Sequence, residues 1–282
     1  MSNVRIVTDS ACDLPAEVAD EMGIEIVPLS IRFGDEEFID RDELTVAEFW
    51  NRCVNMSTLP ETAAPAPGQF ETVYRRLAAD GATGIVVVSL SGALSATIQS
   101  AELAARAVNE DGDIDVRIVD SRSVSMGIGT IAIACARLAA EGGAIDEVEA
   151  LASDLSERTR VFAALDTLDN LKKGGRIGGA KAFLATALSI KPIIDVTGGV
   201  VSEAGKQRTR SKALAHLVER FKSYEGPVEN LAVLHADCSD IDVFVEMLQP
   251  HYDGEILVGE IGPVIGTHGG RGTIGVAFHE SA

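Results

Sequence analysis

Positive charge is scarce in this chain. Its 282 residues carry 24 Lys and Arg against 43 Asp and Glu, a formal charge of −19 at pH 7. That balance excludes general nucleic-acid binding, which needs a basic footprint. It argues equally against attraction to an anionic membrane surface. An anionic ligand stays compatible where local donors outweigh the global field. Cysteine is sparse too: Cys12, Cys53, Cys135 and Cys238 lie far apart, with no Cys-x-x-Cys or Cys/His pair at zinc spacing, so no metal is expected. Sparse cysteine fits a reducing compartment. Long hydrophobic runs are missing. The longest mainly apolar stretch, residues 127–138, contains Arg137 and is too short to span a bilayer, so no stable membrane insertion is expected. No charged-then-apolar leader precedes Val4-Arg5-Ile6-Val7, which makes the cytoplasm the expected location. What the chain does have is 46% hydrophobic residues, enough to exclude disorder, in a length that suits one large domain or two ordinary ones.

The first half alternates strand-like and helix-like segments. Residues 4–7, 24–29, 85–88 and 116–119 are short β-branched runs largely unbroken by polar residues. That pattern suits strands of a parallel sheet buried on both faces. Phe70, Val73, Tyr74 and Leu77 mark one helix face between them, and Leu103, Ala104 and Ala107 another. Leu14-Pro15 followed by Ala16-Glu17-Val18 reads as a helix start with Asp13 able to cap it. A Gly34-Asp35 turn between alternating runs predicts a β-hairpin inserted near 30–40. Beyond about Arg158 hairpins mix with helices, and residues 196–201 read as a hairpin. The expected class is α/β with two domains. Residues 1–160 would form a mainly parallel sheet with helices on both faces, and residues 161–282 a smaller mixed sheet, with a soft boundary near 155–165.

Ligands of open α/β sheets bind beyond the carboxyl ends of strands. Three such ends are rich in Asp and Ser: Thr8-Asp9-Ser10, Ser89-Leu90-Ser91-Gly92 and Asp120-Ser121-Arg122-Ser123. Each alone is an ordinary helix N-cap; three on one edge point toward a polar crevice. The segment from Ser91 to Thr97 is a turn opening a helix, so free backbone N–H groups and hydroxyls coincide there without a lysine, which suits a carboxylate better than a polyphosphate. Thr58 to Pro67 holds three prolines in eight residues and reads as a stiff extended loop rather than an element. Gly266-Thr267-His268-Gly269-Gly270-Arg271-Gly272 reads as a glycine-rich turn before the last strand. Its His268 is either a surface histidine or, with a hydroxyl turn, part of a carboxylate site.

Several familiar motifs fail. Gly127-Ile128-Gly129-Thr130-Ile131-Ala132 matches the dinucleotide fingerprint as letters but does not start at a strand end, so it reads as helix packing. The glycines from 174 to 179 are not followed by Lys-Ser/Thr, which excludes a Walker P-loop, and no Gly-x-Ser-x-Gly elbow occurs. The remaining histidines form no metal-like spacing.

Together, Thr8-Asp9-Ser10-Ala11-Cys12-Asp13-Leu14, the Thr-and-proline loop 62–67, Leu94-Ser95-Ala96-Thr97, Asp120-Ser121, Lys172-Lys173-Gly174-Gly175-Arg176-Ile177-Gly178, Lys191-Pro192-Ile193, Arg208-Thr209-Arg210 and Gly266-Thr267-His268 resemble the DegV family of fatty-acid-binding proteins, from about residue 4 to 279. The resemblance implies two α/β domains with a long-chain fatty acid in an apolar tunnel between them. Thr62, Ser95 and His268 would hold its carboxylate, with further head-group support from Ser91, Thr97, Thr267 and Arg271. The tunnel wall would include Phe183, Leu184, Leu188 and Ile190, which on composition alone are ordinary core. The resemblance also implies a non-catalytic subunit of a fatty acid kinase, with no cofactor of its own expected; the sequence does not set the oligomeric state, and a monomer is the expectation. A separate ATP-binding subunit would phosphorylate the presented carboxylate for phospholipid synthesis, and Lys206, Arg208 and Arg210 would face that partner. This chain departs from the family pattern at Ala63, Ala64, Ala96 and Gly269-Gly270-Arg271-Gly272, which leaves fewer donors around the head group.

An acyl tunnel is physically plausible. A chain of about fourteen methylenes gains about 11 kcal/mol gross on burial, from which ordering subtracts several. The carboxylate sets orientation, because taken from water it must find donors or become neutral. The alternative is a small-molecule hydrolase or phosphotransferase using Asp9, Ser10, Ser91 and Asp120 in the strand-end crevice.

Overall fold

The computed structural model describes residues 3–54, 56, 58–185, 190–224 and 226–281, the side chains of 182–185 excepted. The chain opens with β1 (Val4–Asp9), α1 (Ala16–Met22) and β2 (Ile24–Val27). The hairpin β3 (Ser30–Phe33) and β4 (Glu36–Ile39) follows, then α2 (Val46–Val54), β5 (Glu61–Ala63) and α3 (Pro67–Ala79). Next come β6 (Gly84–Ser89), α4 (Thr97–Asp111), β7 (Val116–Asp120), α5 (Met126–Ala140) and α6 (Ile145–Arg158). The remainder runs β8 (Thr159–Ala164), α7 (Asp169–Lys173), a 3-10 segment Gly178–Ala185, β9 (Lys191–Asp195) and β10 (Ser202–Gln207). It ends with α8 (Arg210–Lys222), β11 (Val228–His235), α9 (Ile241–Leu248), β12 (Leu257–Glu260), α10 (Pro263–Gly269) and β13 (Ile274–Glu280). Among the described residues, no helix is long and apolar enough to cross a membrane.

The first sheet is parallel throughout, in the order β2-β1-β6-β7. Alternate residues go to opposite layers. Val7, Ile85 and Val87 pack with Phe70, Tyr74, Leu77 and Val108 of α3 and α4. Ile6, Val86 and Val88 belong to the cluster of Ile128 and Ile131 on α5 and Val148 and Leu155 on α6. Helices on both faces are why these strands read as continuous apolar runs. On α4 the buried stripe is Ile98, Ala101, Ala104, Ala105 and Val108; Leu103, expected on it, is 54% exposed.

The second sheet is mixed, in the order β10-β9-β8-β13-β11-β12, with β11 and β12 its parallel pair. Its six strands make it the wider of the two, rather than the smaller. One face packs Phe162, Val233, Val276 and Phe278 against Leu217 and Phe221 of α8 and Phe244 of α9. The other contributes Val161, Ala163, Ala232, Leu234 and Ala277 to the cluster that holds α5. Helix α5 is therefore a shared layer between the sheets, buried almost all round, as its uniformly apolar sequence requires. A Cβ at Gly127 would strike Ser123 and Val161, and one at Gly129 would lie 3.0 Å from the Cys12 carbonyl oxygen. The Gly-x-Gly pair is helix packing.

Three local expectations are corrected. Asp13 does not cap α1, whose N-terminus has no side-chain hydrogen bond; Asp13 is buried in a left-handed conformation (φ 54) and bonds elsewhere. The proline-rich loop contains an element after all. Residues 61–63 form β5, paired antiparallel with β3 through Ile31↔Thr62, because an edge of the inserted hairpin is available to an already extended chain. The Gly-Thr-His turn is not a turn: Gly266 to Gly269 finish α10, which starts at Pro263 in the favoured first position. The segment 196–201 is the turn of the β9–β10 hairpin.

Candidate functional site

A cavity of about 260 Å³ lies between the two sheets. Its apolar wall is drawn from both halves: Leu29, Leu90 and Val124 from the first, and Val161, Leu165, Ile194, Val196, Leu234 and Val264 among others from the second. These positions follow from the fold. Val161, Ile194, Leu234 and Val264 belong to β8, β9, β11 and α10, and Leu29, Leu90, Val124, Leu165 and Val196 lie in the segments just beside strands and helices.

The polar residues on this wall are few: Thr62, Ser95, Arg176, His268 and Thr273 among the described residues. Strand β5 brings Thr62 beside α10, where its Oγ1 lies 3.1 Å from His268 Nε2. Ser95 precedes α4. Its Oγ lies 2.9 Å from Thr97 Oγ1 and accepts from Thr97 N, so the helix start fixes the rotamer. His268 stands in the last turn of α10, which Asn170 Nδ2 ties to α7 through the Thr267 carbonyl at 3.1 Å. Gly174 leaves space for the ring, since a Cβ there would strike Nδ1. Among the described residues, that buried Nδ1 has no hydrogen-bond partner. Burial, and then the nearby Arg176, push the His268 pKa down to about 4, so the imidazole is neutral at pH 7. Arg176 Nε donates to Leu94 O at 3.2 Å and its Nη1 to Gly174 O at 2.7 Å. The guanidinium is thus fixed at the cavity wall with Nη2 uncommitted among the described residues.

Thr62, Ser95 and His268, far apart in sequence, therefore line one cavity. The other expected head-group residues do not join them. Ser91 is buried and donates to Gly199 O at 2.7 Å. Thr97 reaches the cavity only through its bond to Ser95. Thr267 is on the opposite side of α10 from His268. Its hydroxyl donates to Pro263 O, and it lines a separate groove with Trp50 and Lys173. Arg271 lines that same groove and is paired with Asp237 at 2.5 Å. Of the expected tunnel wall, Ile190 packs beside the cluster that holds α5. The side chains of Phe183 and Leu184, and Leu188 altogether, lie outside the described residues.

The partner-facing trio divides. Lys206 and Arg208 are exposed and have no ion pair among the described residues. Arg210 is turned inward: it forks onto Asp240 at 2.8 and 2.9 Å and donates to the Gly272 carbonyl. It braces α8 against the loop before β13 and is not free for a partner.

The Asp/Ser strand ends form no open crevice. Asp9, 1% exposed, accepts from Leu90 N at 2.7 Å, Ala11 N at 3.2 Å and Ser89 Oγ at 3.3 Å. Burial, opposed by these bonds, raises its pKa to about 6. Asp120 accepts from Arg122 N at 2.8 Å and Gly92 N at 3.3 Å. These carboxylates satisfy the backbone of the turns, the ordinary capping role, and none of Asp9, Ser10, Ser91 and Asp120 lines the cavity. Arg176 is the residue that sequence reasoning missed; its signal was the Lys- and Gly-rich stretch on an otherwise acidic chain. The strand residues of the wall left no signal, because inward apolar positions look alike whether they meet a helix or a cavity.

A family model described as an uncharacterised protein of the DegV family matches residues 3–281. The DegV domain-containing protein SCO2569 of Streptomyces coelicolor is 37% identical over 279 residues, covering 97% of each chain. Among solved structures, a DegV family protein from Thermus thermophilus, described in terms of its fatty acid binding, superposes with a TM-score of 0.91 at 32% identity, over 99% of this chain and 100% of its own. DegV of Bacillus subtilis, described as a fatty acid binding protein, superposes with a TM-score of 0.88 at 28% identity, over 100% of both chains.

Proposed function

This chain belongs to the DegV family, and from that premise we propose that it binds a long-chain fatty acid in the cavity between its sheets and presents the carboxylate to a separate ATP-dependent kinase subunit. The observation that carries the reading is the meeting of Thr62, Ser95 and His268 on the wall of one largely apolar cavity. The two solved relatives described as fatty acid binding support it.

The chemistry follows from the groups present. A carboxylate leaving water needs donors. Ser95 and Thr62 each supply a hydroxyl. In the tautomer with a proton on Nε2, His268 donates to Thr62 Oγ1 and turns the threonine hydroxyl toward the acid. Because His268 is neutral, it orients without forming an ion pair, and Arg176 is the cation at hand. In the phosphoryl step a carboxylate oxygen attacks the terminal phosphorus of ATP, and ADP leaves. The sequence carries no Walker loop to cradle ATP, so in this reading a partner holds the nucleotide and the metal it needs. The exposed Lys206 and Arg208 are the residues of this chain assigned to meet it.

Native mass spectrometry of the purified protein tests the binding. A co-purifying acid of long-chain mass, lost on delipidation and restored by adding myristate, is the expected result. Steady turnover of esters or ATP by the chain alone, with no bound acid, overturns it. For presentation, Ser95→Ala and His268→Ala should slow phosphorylation by the kinase subunit more than they weaken acyl binding. Equal loss of both contradicts the division of labour.

A further inference from the structure

Asp13 lies outside the cavity, is 1% exposed, and joins three segments that are remote in sequence. Its Oδ1 accepts from the backbone N–H of Gly262 at 2.8 Å and from Arg41 Nη2 at 3.0 Å; its Oδ2 accepts from Ser125 Oγ at 2.5 Å. Each partner begins or ends an element that matters to the site. Gly262 is the residue immediately before α10, whose last turn carries His268. Arg41 follows β4, whose hairpin mate β3 pairs with β5 and so carries Thr62. Ser125 precedes α5, the layer shared by the two sheets. Arg41 reinforces the joint by donating to Leu14 O at 3.0 Å and Glu260 O at 3.3 Å. The packing there is close, since a Cβ at Gly262 would lie 2.9 Å from Arg41 Nη2 and 3.1 Å from Asp13 Oδ1.

We propose that Asp13 is a positioning residue for the acid head-group site: by holding the start of α10 and the end of β4 on one carboxylate oxygen, it sets the distance between His268 and Thr62. The two arms close on each other at the 3.1 Å Thr62–His268 contact. A short helix such as α10, with glycines at 266 and 269, has little intrinsic stability of its own. Its orientation therefore depends on what grips its ends. At the N-terminal end that is the Asp13 carboxylate on an otherwise orphaned backbone N–H, favourably placed for the helix dipole. At the C-terminal end it is Asn170. Loss of the Asp13 grip lets α10 shift relative to β5, and a shift of a fraction of an ångström is enough to spoil a two-point grip on a carboxylate.

This proposal rests on the acid-binding reading above, and its test separates the two. The full-length protein is delipidated, and the affinities of myristate and methyl myristate, which share a chain and differ at the head, are measured by titration. The wild type should prefer the acid by about tenfold or more. If it shows no preference, the acid-binding reading fails and Asp13 is not at issue. Given that preference, Asp13→Asn should reduce it about tenfold while ester affinity stays within about twofold. A role in stability alone predicts a lower melting temperature with the preference intact, and that result overturns the proposal. Should Asp13→Asn fail to fold, Arg41→Gln, a change at a partly exposed side chain, removes the β4 arm together with the Arg41 bonds to Leu14 O and Glu260 O and leaves the Asp13–Gly262 bond in place. It should lower the preference several-fold, and an unchanged preference in that variant overturns the proposal equally.

Discussion

Asp9, Ser89, Ser91 and Asp120 are as polar as Thr62, Ser95 and His268, and Ser95 lies only four residues beyond Ser91. The first group directs its hydrogen bonds into the chain around it: Asp9 alone accepts from two backbone N–H groups and a hydroxyl. The second group is incompletely matched. Among the described residues, His268 Nδ1 is buried without a hydrogen-bond partner, and Arg176 Nη2 at the same wall makes no hydrogen bond. Asp9, Ser89 and Ser91 are buried, whereas Thr62, Ser95 and His268 are half-buried and Arg176 is exposed. In one group the protein completes the hydrogen bonding, and in the other the Thr62 and Ser95 hydroxyls and the Arg176 guanidinium stand at a cavity wall as donors a carboxylate could use. Residue type is therefore a poor guide to which polar cluster lines the cavity.

The largest expected effect divides the clusters by what each loses. Asp9→Ala strands two buried N–H groups and should cost about 3 kcal/mol of stability by urea denaturation. His268→Ala should cost less stability and abolish most of the preference for myristate over its methyl ester. If His268→Ala proves the more destabilising of the two, the comparison is inverted.

A second effect is in the pH dependence, where the clusters have opposite signs. His268 has a folded pKa of about 4, below its ordinary 6.5. The unfolded chain therefore binds more protons between these values, and the stability from the neutral imidazole is full above 6.5 and lost as pH falls toward 4. Asp9 has a folded pKa of about 6, above its ordinary 3.8. Its contribution is full below 3.8 and lost as pH rises through 6. Between pH 4 and 6, then, His268→Gln should flatten the rise of stability with pH and Asp9→Asn should steepen it. His279, also held to about 4 by burial, adds to the first trend in every variant, so differences from wild type are the quantity to measure by urea titration across that range. Parallel profiles for both variants would remove the distinction between the clusters.

The smallest effect concerns Arg271. It sits on the far side of α10 in an exposed pair with Asp237. Arg271→Ala should leave myristate affinity within about twofold and stability within about 0.5 kcal/mol. A tenfold loss of affinity would extend the functional cluster across the helix.

Much of the architecture was legible because burial leaves periodic marks. Val86, Val87 and Val88 face both helix layers and so had to be continuously apolar, and Phe70, Tyr74 and Leu77 had to recur at helical spacing. Strand β5 was illegible because its pairing is supplied by β3, not by its own propensity. Helix α10 was illegible because its sequence is poor in helix formers. Gly266 is needed where a Cβ would come within 2.9 Å of the Trp50 ring, and that is a demand of packing. Asp13 looked like a cap because Asp before Pro usually is one; its left-handed backbone aims it away from α1 and toward Gly262.

Composition and local pattern by themselves determined that this chain folds as α/β, that it carries net negative charge, and that the Ser91–Thr97 turn and His268 were worth attention, whereas Thr62 entered only through the resemblance to the DegV family. Each of those properties is decided within a few residues of itself. Only the tertiary structure decided that Thr62 and His268, 206 positions apart, meet beside Arg176 and Ser95, while Ser91, Thr267 and Arg271 turn away. Proximity across such a separation is set by how two sheets close on α5, and direction on α10 by which face of a short helix the cavity receives. No local preference encodes either.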